Sequence, residues 1–107
     1  MATGRLGAVA VPSTAYTELY ACPADTFAVV SVSLANRTAG ALQVRIAVTT
    51  NSASPDNAEF IEYGTTIAAN GVLERTGLVV AATQSISVYA SNVGISAVAM
   101  GIETATV

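Results

Sequence analysis

The side chains with the clearest chemical potential are four oxygen-bearing residues between positions 56 and 62. Asp56, Asn57, Glu59 and Glu62 carry the oxygen ligands that calcium prefers. Their spacing does not fit an EF-hand loop, which needs a glycine at its sixth position and a glutamate at its twelfth. Glu59 and Glu62 could also suggest the carboxylate pair of a glycoside hydrolase, but on a strand they would point to opposite faces. We therefore expect a solvated loop here, with no metal and no catalytic residue.

A short aromatic stripe is the second candidate site. Tyr16, Glu18 and Tyr20 alternate along the chain and would share one face of a strand, where they could hold a sugar or the side chain of a partner. Cross-strand packing or a subunit contact is the alternative that we favour. Residues 36–38 read Asn-Arg-Thr and match a glycosylation sequon, but nothing indicates secretion, so we interpret them as a turn.

The composition argues against an enzyme and against nucleic-acid binding. The 107 residues include no His, one Cys, four basic and seven acidic residues, and the formal net charge is −3. This leaves little material for a catalytic triad or a zinc site, and no basic surface for phosphates. We expect no cofactor and no membrane or targeting segment, because every apolar stretch is short and the N-terminal sequence is interrupted by Gly and Arg.

The single cysteine, Cys22, cannot form an internal disulfide. It precedes a proline in an apolar run, and no basic residue lies beside it to lower its pKa. We expect a small buried hydrophobic side chain rather than a reactive thiol or an intermolecular disulfide. A lone cysteine indicates a reducing compartment, at least during folding.

Hydrophobic periodicity predicts strands and no helix. The strongest pattern lies in residues 41–49, where the even positions from Leu42 to Val48 are apolar and Arg45 lies on the other face. Turn residues recur every 8–12 positions, which is typical of an all-β protein. We predict a single-domain antiparallel β-sandwich of seven to eight strands, of jelly-roll or immunoglobulin-like type. The predicted strands are residues 15–22, 26–36, 41–49, 58–63, 72–80, 85–91 and 95–103.

The segments between these strands predict turns, and the strand faces predict a core. Residues 36–40 would connect two strands of an antiparallel hairpin, Asn70-Gly71 is typical of a type I′ turn, and residues 92–94 would turn between the last two strands. The predicted core residues are Val30, Val32, Leu34, Leu42, Val44, Ile46, Val48, Ile61, Leu78, Val80, Ile86, Val88, Val98, Met100 and Ile102.

The N-terminal segment differs from the rest of the chain. Residues 1–14 form an apolar arm or an edge strand, and residues 15–107 form the sandwich domain. Gly4 and Gly7 allow unusual backbone angles, and Pro12 separates the arm from the next strand. We expect an assembly device that adds a strand to the sheet edge of a neighbouring subunit. The alternative is that it forms the first strand of its own sandwich.

The predicted outer surface is unusually poor in charge. Only 10% of the residues are charged, where soluble domains average about 25%, and there is no Lys to protect the sheet edges. Ser, Thr and Ala occupy most outward positions of the strands. We therefore expect other subunits to cover much of the surface.

The sequence also resembles a known type of protein. Residues 16–48, YTELYACPADTFAVVSVSLANRTAGALQVRIAV, and residues 60–103, which include ANGVLERTG and SVYAS, are similar to small β-sandwich proteins from the virions of tailed phages, particularly cyanophages. The resemblance covers most of residues 15–103. It implies a non-enzymatic virion protein, either a capsid decoration (cement) protein or a neck, tail or fibre component that could bind a carbohydrate or receptor.

We interpret the 107 residues as a complete chain of one compact domain, which favours the decoration protein, since a fibre usually needs a long shaft. The partners expected from this assignment are further copies of the chain, in a homotrimer, and other virion proteins such as the major capsid protein. The expected location is the virion, with synthesis in the host cytoplasm. No site residue follows from the resemblance.

Overall fold

The computed structural model describes residues 3–106, and these form eight β-strands and one short 3₁₀ helix. The long alternating segments of the sequence become the long strands, and predicted and observed bounds coincide for residues 26–36 and 72–80. The strands are β1 Thr3–Val11, β2 Thr17–Ala21, β3 Thr26–Asn36, β4 Leu42–Thr49, β5 Phe60–Ile67, β6 Val72–Val80, β7 Ser85–Ala90 and β8 Ile95–Ala105, and the 3₁₀ helix is Asn57–Glu59.

The strand pairing is nested around the β4–β5 connection. β1 pairs with β8, β2 with β7, β3 with β6 and β4 with β5, always antiparallel. β8 also pairs with β3, and β7 with β4, which gives sheet A (β1-β8-β3-β6) and sheet B (β2-β7-β4-β5). The predicted antiparallel sandwich is confirmed. Of the two expected types, this strand order is that of a jelly roll, a long hairpin rolled into two facing sheets.

The predicted hairpins are wrong because consecutive strands mostly lie in different sheets. The chain crosses from one sheet to the other at residues 36–40, between β5 and β6, and between β7 and β8. Asn70 has a φ of +57°, but Gly71 is not among the residues with positive φ. Asn70-Gly71 is therefore not a type I′ turn, which needs positive φ at both positions. Among consecutive strands of the described chain, only β4 and β5 pair with each other.

A buried asparagine connects two of these crossings. Asn36 is 2% exposed, and its Nδ2 donates to the carbonyl oxygens of Gly40, Ile67 and Ala68 at 2.9–3.2 Å. Its Oδ1 accepts from the backbone and hydroxyl of Thr38 at 2.9 and 2.7 Å. The side chain thus holds the β3–β4 crossing against the end of β5. Nδ2 of Asn36 is enclosed and already used as a donor. The structure therefore supports the interpretation of residues 36–38 as a turn rather than as a glycosylation site.

The core lies between the two sheets and contains most of the predicted residues. The fully enclosed set includes Val30, Val32 and Leu34 of β3, Val44 and Ile46 of β4, and Ile86 and Val88 of β7, and Leu78 and Val80 are also buried. Leu42 and Ile61 are half-buried and pack against this core. Burial of each large aliphatic side chain stabilises the fold by about 1.5–3 kcal/mol before conformational entropy is subtracted.

The core prediction is wrong for β8, where the two faces are exchanged. Ile95, Ala97 and Ala99 point inward and are 0% exposed. Met100 and Ile102 lie on the outer face with 43% and 57% of their surface exposed. The even positions of β8 pair with outer-face positions of β3, so Val98 also points outward and is half-buried. The small inward side chains of Ala97 and Ala99 leave room for the large side chains of the facing sheet.

Val48 is the remaining correction to the predicted core, because it is half-buried and lies outside the core cluster. Its neighbours Ala47 and Thr49, predicted to face outward, are both 0% exposed. The loop after β4 covers this outer part of sheet B, since the carbonyl of Ser52 accepts a 2.7 Å hydrogen bond from the hydroxyl of Ser87. Residues 50–56, which connect β4 to the 3₁₀ helix, thus partly cover β4 and β7.

The N-terminal segment forms an edge strand in the structure. β1 pairs with β8 along its length, from Thr3 opposite Ile102 to Val11 opposite Ile95, and residues 1–2 of the predicted arm lie outside the described residues. A Cβ atom on Gly7 would lie 2.1 Å from the carbonyl oxygen of Leu19 in β2. This close approach is possible only for glycine, and it lets β1 pack directly against β2 of the other sheet.

Candidate binding surfaces

The acidic residues near position 56 do not form a cation site in the structure. The carboxylate of Glu59 accepts from the hydroxyl of Thr49 and from the backbone of Asp56, and these hydrogen bonds lower the pKa of Glu59. Glu62 accepts from Thr65 and forms an ion pair with Arg75 of sheet A. Within residues 3–106, no group of three or more His, Cys, Asp or Glu residues could hold a metal ion.

The ion pair of Glu62 has a structural role, because it connects the edge strands β5 and β6 of the two sheets. The hydrogen bond from Thr65 and the pairing with Arg75 lower the pKa of Glu62. At the other end of the sandwich, the hydroxyl of Tyr20 in β2 donates to the carboxylate of Glu103 in β8 at 2.5 Å. Burial and this hydrogen bond raise the pKa of Tyr20. These polar contacts connect the two sheets.

The predicted stripe of Tyr16, Glu18 and Tyr20 is not present. A β-bulge at Leu19 breaks the alternation of β2, so Leu19 and Tyr20 are both 6% exposed and Tyr20 faces the core. Glu18 stays on the outer face and accepts from the hydroxyls of Ser52 and Ser85 at 3.2 Å. Tyr16 precedes β2 and contributes to a different group of aromatic residues.

That group is an aromatic cluster on the outer face of sheet B. Tyr63 of β5, Arg45 of β4 and Tyr89 of β7 lie directly opposite one another in three adjacent strands. The guanidinium carbon of Arg45 is 4.2 Å from the ring centre of Tyr63 and 4.4 Å from that of Tyr89. Such cation–π contacts stabilise by about 0.5–2 kcal/mol each, and two of them fix the position of the guanidinium.

Two more aromatic residues complete the aromatic cluster. Tyr16 is 5.0 Å from Tyr89 and 5.9 Å from Phe60, and Phe60 meets Tyr63 edge to face at 5.0 Å between ring centres. Four of the six aromatic residues of the chain thus lie together. Nη1 of Arg45 donates to the hydroxyl of Tyr16 at 2.8 Å, and this bond raises the pKa of Arg45. The arginine therefore stays charged.

A glycine bulge in β5 places Tyr63 opposite Arg45. The register between β4 and β5 skips Gly64, which has a φ of +70°. Other residues rarely adopt this angle, so glycine is needed here for conformation. A Cβ atom on Gly64 would meet nothing within 4 Å, which shows that open space lies beside the bulge.

Two cavities adjoin the aromatic cluster. The first has a volume of about 100 Å³ and is lined by Gln43, Val44, Arg45, Gly64, Tyr89 and Ser91. The second has a volume of about 450 Å³ and is lined by Asn57, Phe60 and Tyr63. Arg45 lines the first cavity and Tyr63 the second, and the guanidinium carbon of Arg45 lies 4.2 Å from the ring centre of Tyr63, whose surface is 62% exposed. None of the lining residues is acidic.

The outer face of sheet A carries a different surface. Val79 of β6, Val29 of β3 and Ile102 of β8 lie opposite one another across three strands, and Met100 lies beside them. These four residues, the apolar patch, are 43–63% exposed. Arg5 on β1 and Glu74 on β6 lie on the same outer face, at its two opposite edge strands.

Cys22 is buried and free, as expected, with 4% of its surface exposed and its Sγ 3.4 Å from the carbonyl oxygen of Thr26. In the described chain, no helix is long and apolar enough to cross a membrane.

Fold and surfaces together define a jelly-roll domain with an apolar patch on one sheet and an aromatic cluster on the other. Comparison of the chain with protein-family models, with curated proteins and with solved structures finds no match. The resemblance to phage virion proteins therefore rests on the sequence pattern alone and enters below as part of a proposal.

The aromatic cluster was not predicted from the sequence. Arg45 was placed correctly on the outer face of β4, but Tyr63 and Tyr89 are 18 and 44 positions further along the chain. They meet Arg45 only because β4 pairs with both β5 and β7. The one signal available was that Arg45 interrupts an otherwise uncharged strand.

Proposed function

We propose that this protein is a non-enzymatic structural protein of a phage virion, a capsid decoration or cement protein that forms homo-oligomers and binds other virion proteins. The apolar patch carries the proposal. Contiguous exposed apolar side chains on a soluble domain mark interaction sites, and Val29, Val79, Met100 and Ile102 span three adjacent strands. The virion setting comes from the sequence resemblance of residues 15–103. The lack of His supports a role without catalysis.

The size of the outer face of sheet A suits a subunit interface. Its four strands have 9 to 11 residues. Strand spacings of about 4.8 Å and a rise of about 3.3 Å per residue then give a face of roughly 20 by 30 Å. This area is of the same order as the ~800 Å² per partner in a standard interface. Arg5 and Glu74 place unlike charges at its opposite edges, which favours contacts between identical subunits.

Size-exclusion chromatography with light scattering tests the role of the apolar patch. We expect a trimer, three times the 10.7 kDa monomer mass, and a monomer for Val79→Asp. Val93→Asp is the matched control, since Val93 is 62% and Val79 63% exposed but Val93 lies in the β7–β8 connection. A wild-type monomer at about 1 mM, where association worth about 4 kcal/mol would be visible, would contradict the proposal.

A second candidate function is a carbohydrate- or receptor-binding component of a virion neck, tail or fibre. The aromatic cluster of sheet B favours it, because exposed rings next to open cavities are typical of ligand sites. The two functions use opposite faces of the sandwich, so one protein can perform both.

A further inference from the structure

The residues of the aromatic cluster have a shape and charge that single out one kind of ligand. We propose that this cluster and its two cavities bind an acidic saccharide, with Arg45 holding a carboxylate of the ligand and Tyr63 contacting the pyranose ring. This inference rests on the second candidate function and names its ligand class.

Arg45 has binding capacity that its own chain does not use. A guanidinium has five N–H donors, and in residues 3–106 one hydrogen bond, to the hydroxyl of Tyr16, engages it. No carboxylate of the described residues forms an ion pair with it, since the ion pair found there is that of Arg75 with Glu62. The planar donor fork matches a carboxylate, and the flanking rings of Tyr63 and Tyr89 hold it in place before a ligand arrives.

The smaller cavity fits a charged group rather than a whole ligand. Its volume of about 100 Å³ is well below the ~300–1,000 Å³ of sites for small molecules. Gln43, Arg45 and Ser91 give it polar walls. The Ser91 hydroxyl accepts the backbone N–H of Gln43 at 3.0 Å, which leaves its own proton available to donate. A carboxylate in this cavity therefore meets hydrogen-bond donors and no acidic side chain.

The larger cavity accommodates the rest of the ligand. Its volume of about 450 Å³ lies within the range of small-molecule sites, and its lining combines the amide of Asn57 with the rings of Phe60 and Tyr63. The C–H groups of a pyranose carry partial positive charge and pack against the negative face of an aromatic ring, while its hydroxyls need amide partners. Because Arg45 of the smaller cavity stacks on Tyr63 of the larger one, we expect a single ligand to reach both.

An acidic peptide fits this surface less well. Extended peptides commonly bind by adding a strand at an unpaired sheet edge. Arg45 lies on β4, which is paired on both sides, by β5 and β7. A peptide strand added at the free edge of β5 would lie beyond Tyr63 and away from the smaller cavity.

Titration of the full chain by ¹H–¹⁵N NMR tests the proposal. The probe is trigalacturonate, and its methyl ester is the matched ligand without charge. We expect saturable shifts of the amides of Gln43, Gly64 and Ser91 with trigalacturonate. The ester should bind at least about 10-fold more weakly than the acid, because a hydrogen bond to a charged group contributes at least that factor to binding. Arg45→Gln should cause the same loss for the acid and little change for the ester.

Two further variants keep the test decisive. Tyr63→Ala should abolish binding of both saccharides without unfolding the domain, because Tyr63 is 62% exposed. Arg5→Gln removes an exposed arginine from the other sheet and should leave binding unchanged. An equal loss with Arg5→Gln would overturn the proposal, since it would show that the net charge and not Arg45 attracts the ligand.

The remaining outcomes separate this inference from the function that it rests on. Equal affinity for the acid and the ester would overturn the acidic ligand and leave a carbohydrate-binding surface. Absence of shifts with either saccharide would overturn both. Binding of triglutamate at the same amides with the affinity of trigalacturonate would assign the site to acidic peptides and overturn the proposal.

Discussion

Replacement of Ile46 by alanine should lower the free energy of unfolding by about 2–5 kcal/mol. Ile46 is 0% exposed and lies at the centre of β4, between β5 and β7. The variant loses the transfer energy of the deleted carbons and leaves a cavity that the surrounding strands can fill only in part. With a urea m-value of about 1–3 kcal/mol/M, the unfolding midpoint should fall by roughly 1 M or more at an unchanged m-value.

Met100→Ala is the matched variant, because a buried methionine would cost the same 2–5 kcal/mol when truncated. Met100 is 43% exposed on the outer face of sheet A, so in dissociated subunits the loss should stay within about 0.5 kcal/mol. Any larger effect from subunit contacts must grow with protein concentration. If Met100→Ala and Ile46→Ala lowered the free energy of unfolding equally at every protein concentration, the assignment of the β8 faces would be refuted.

Asn36→Ala should cost about 1–3 kcal/mol for each carbonyl left buried without a donor, as measured by urea unfolding. Gly101→Ala should not yield folded, soluble protein, because the added Cβ would lie 2.0 Å from a backbone oxygen of β3. Gly40→Ala is the control and should fold, because its Cβ would meet nothing within 4 Å. The lowered pKa of Glu62 means that its contribution to stability is present above its ordinary pKa of 4.5 and is lost as the pH falls through the lowered folded value. The free energy of unfolding, measured with urea, should therefore fall less between pH 7 and about pH 3 in Glu62→Gln than in the wild type. An equal fall in both proteins would contradict this. Deletion of residues 2–12 should unfold the isolated domain, because β1 covers the edge of β8. Circular dichroism measures this, and a native melting curve would instead favour the hypothesis that the segment is an assembly arm.

Local pattern was enough to place the strands but not to pair them. The alternation of residues 26–36 and 72–80 is long and regular, so their bounds could be predicted. Pairing in a jelly roll is nested, and β1 meets β8 across most of the chain, which no local turn signal encodes. The short turns at 36–40 and 70–71 therefore predict hairpins, although the chain crosses between the two sheets there.

The faces of β8 show where hydrophobicity alone misleads. Both faces of this strand are apolar, so hydrophobicity predicts the bulkier residues Val98, Met100 and Ile102 on the inner face. Gly101 lies opposite Val30 of β3, and a Cβ atom on Gly101 would lie 2.0 Å from the carbonyl oxygen of Val29, so no side chain fits at this position. A one-residue difference in register moves every side chain of a strand to the other face. The sequence does not predict the apolar patch, because two of its four members, Met100 and Ile102, belong to the predicted core.

The two surfaces of the sandwich should act independently, because they lie on the outer faces of opposite sheets. Facing sheets pack about 10 Å apart, and each surface is formed by side chains that point away from the shared core. Val79→Asp should therefore abolish self-association and leave trigalacturonate affinity unchanged within about twofold, and Tyr63→Ala should do the reverse. NMR titration of the monomeric Val79→Asp variant measures this directly. A large loss of saccharide affinity in that variant would mean that neighbouring subunits complete the aromatic site, and the two surfaces would then have to be treated as one.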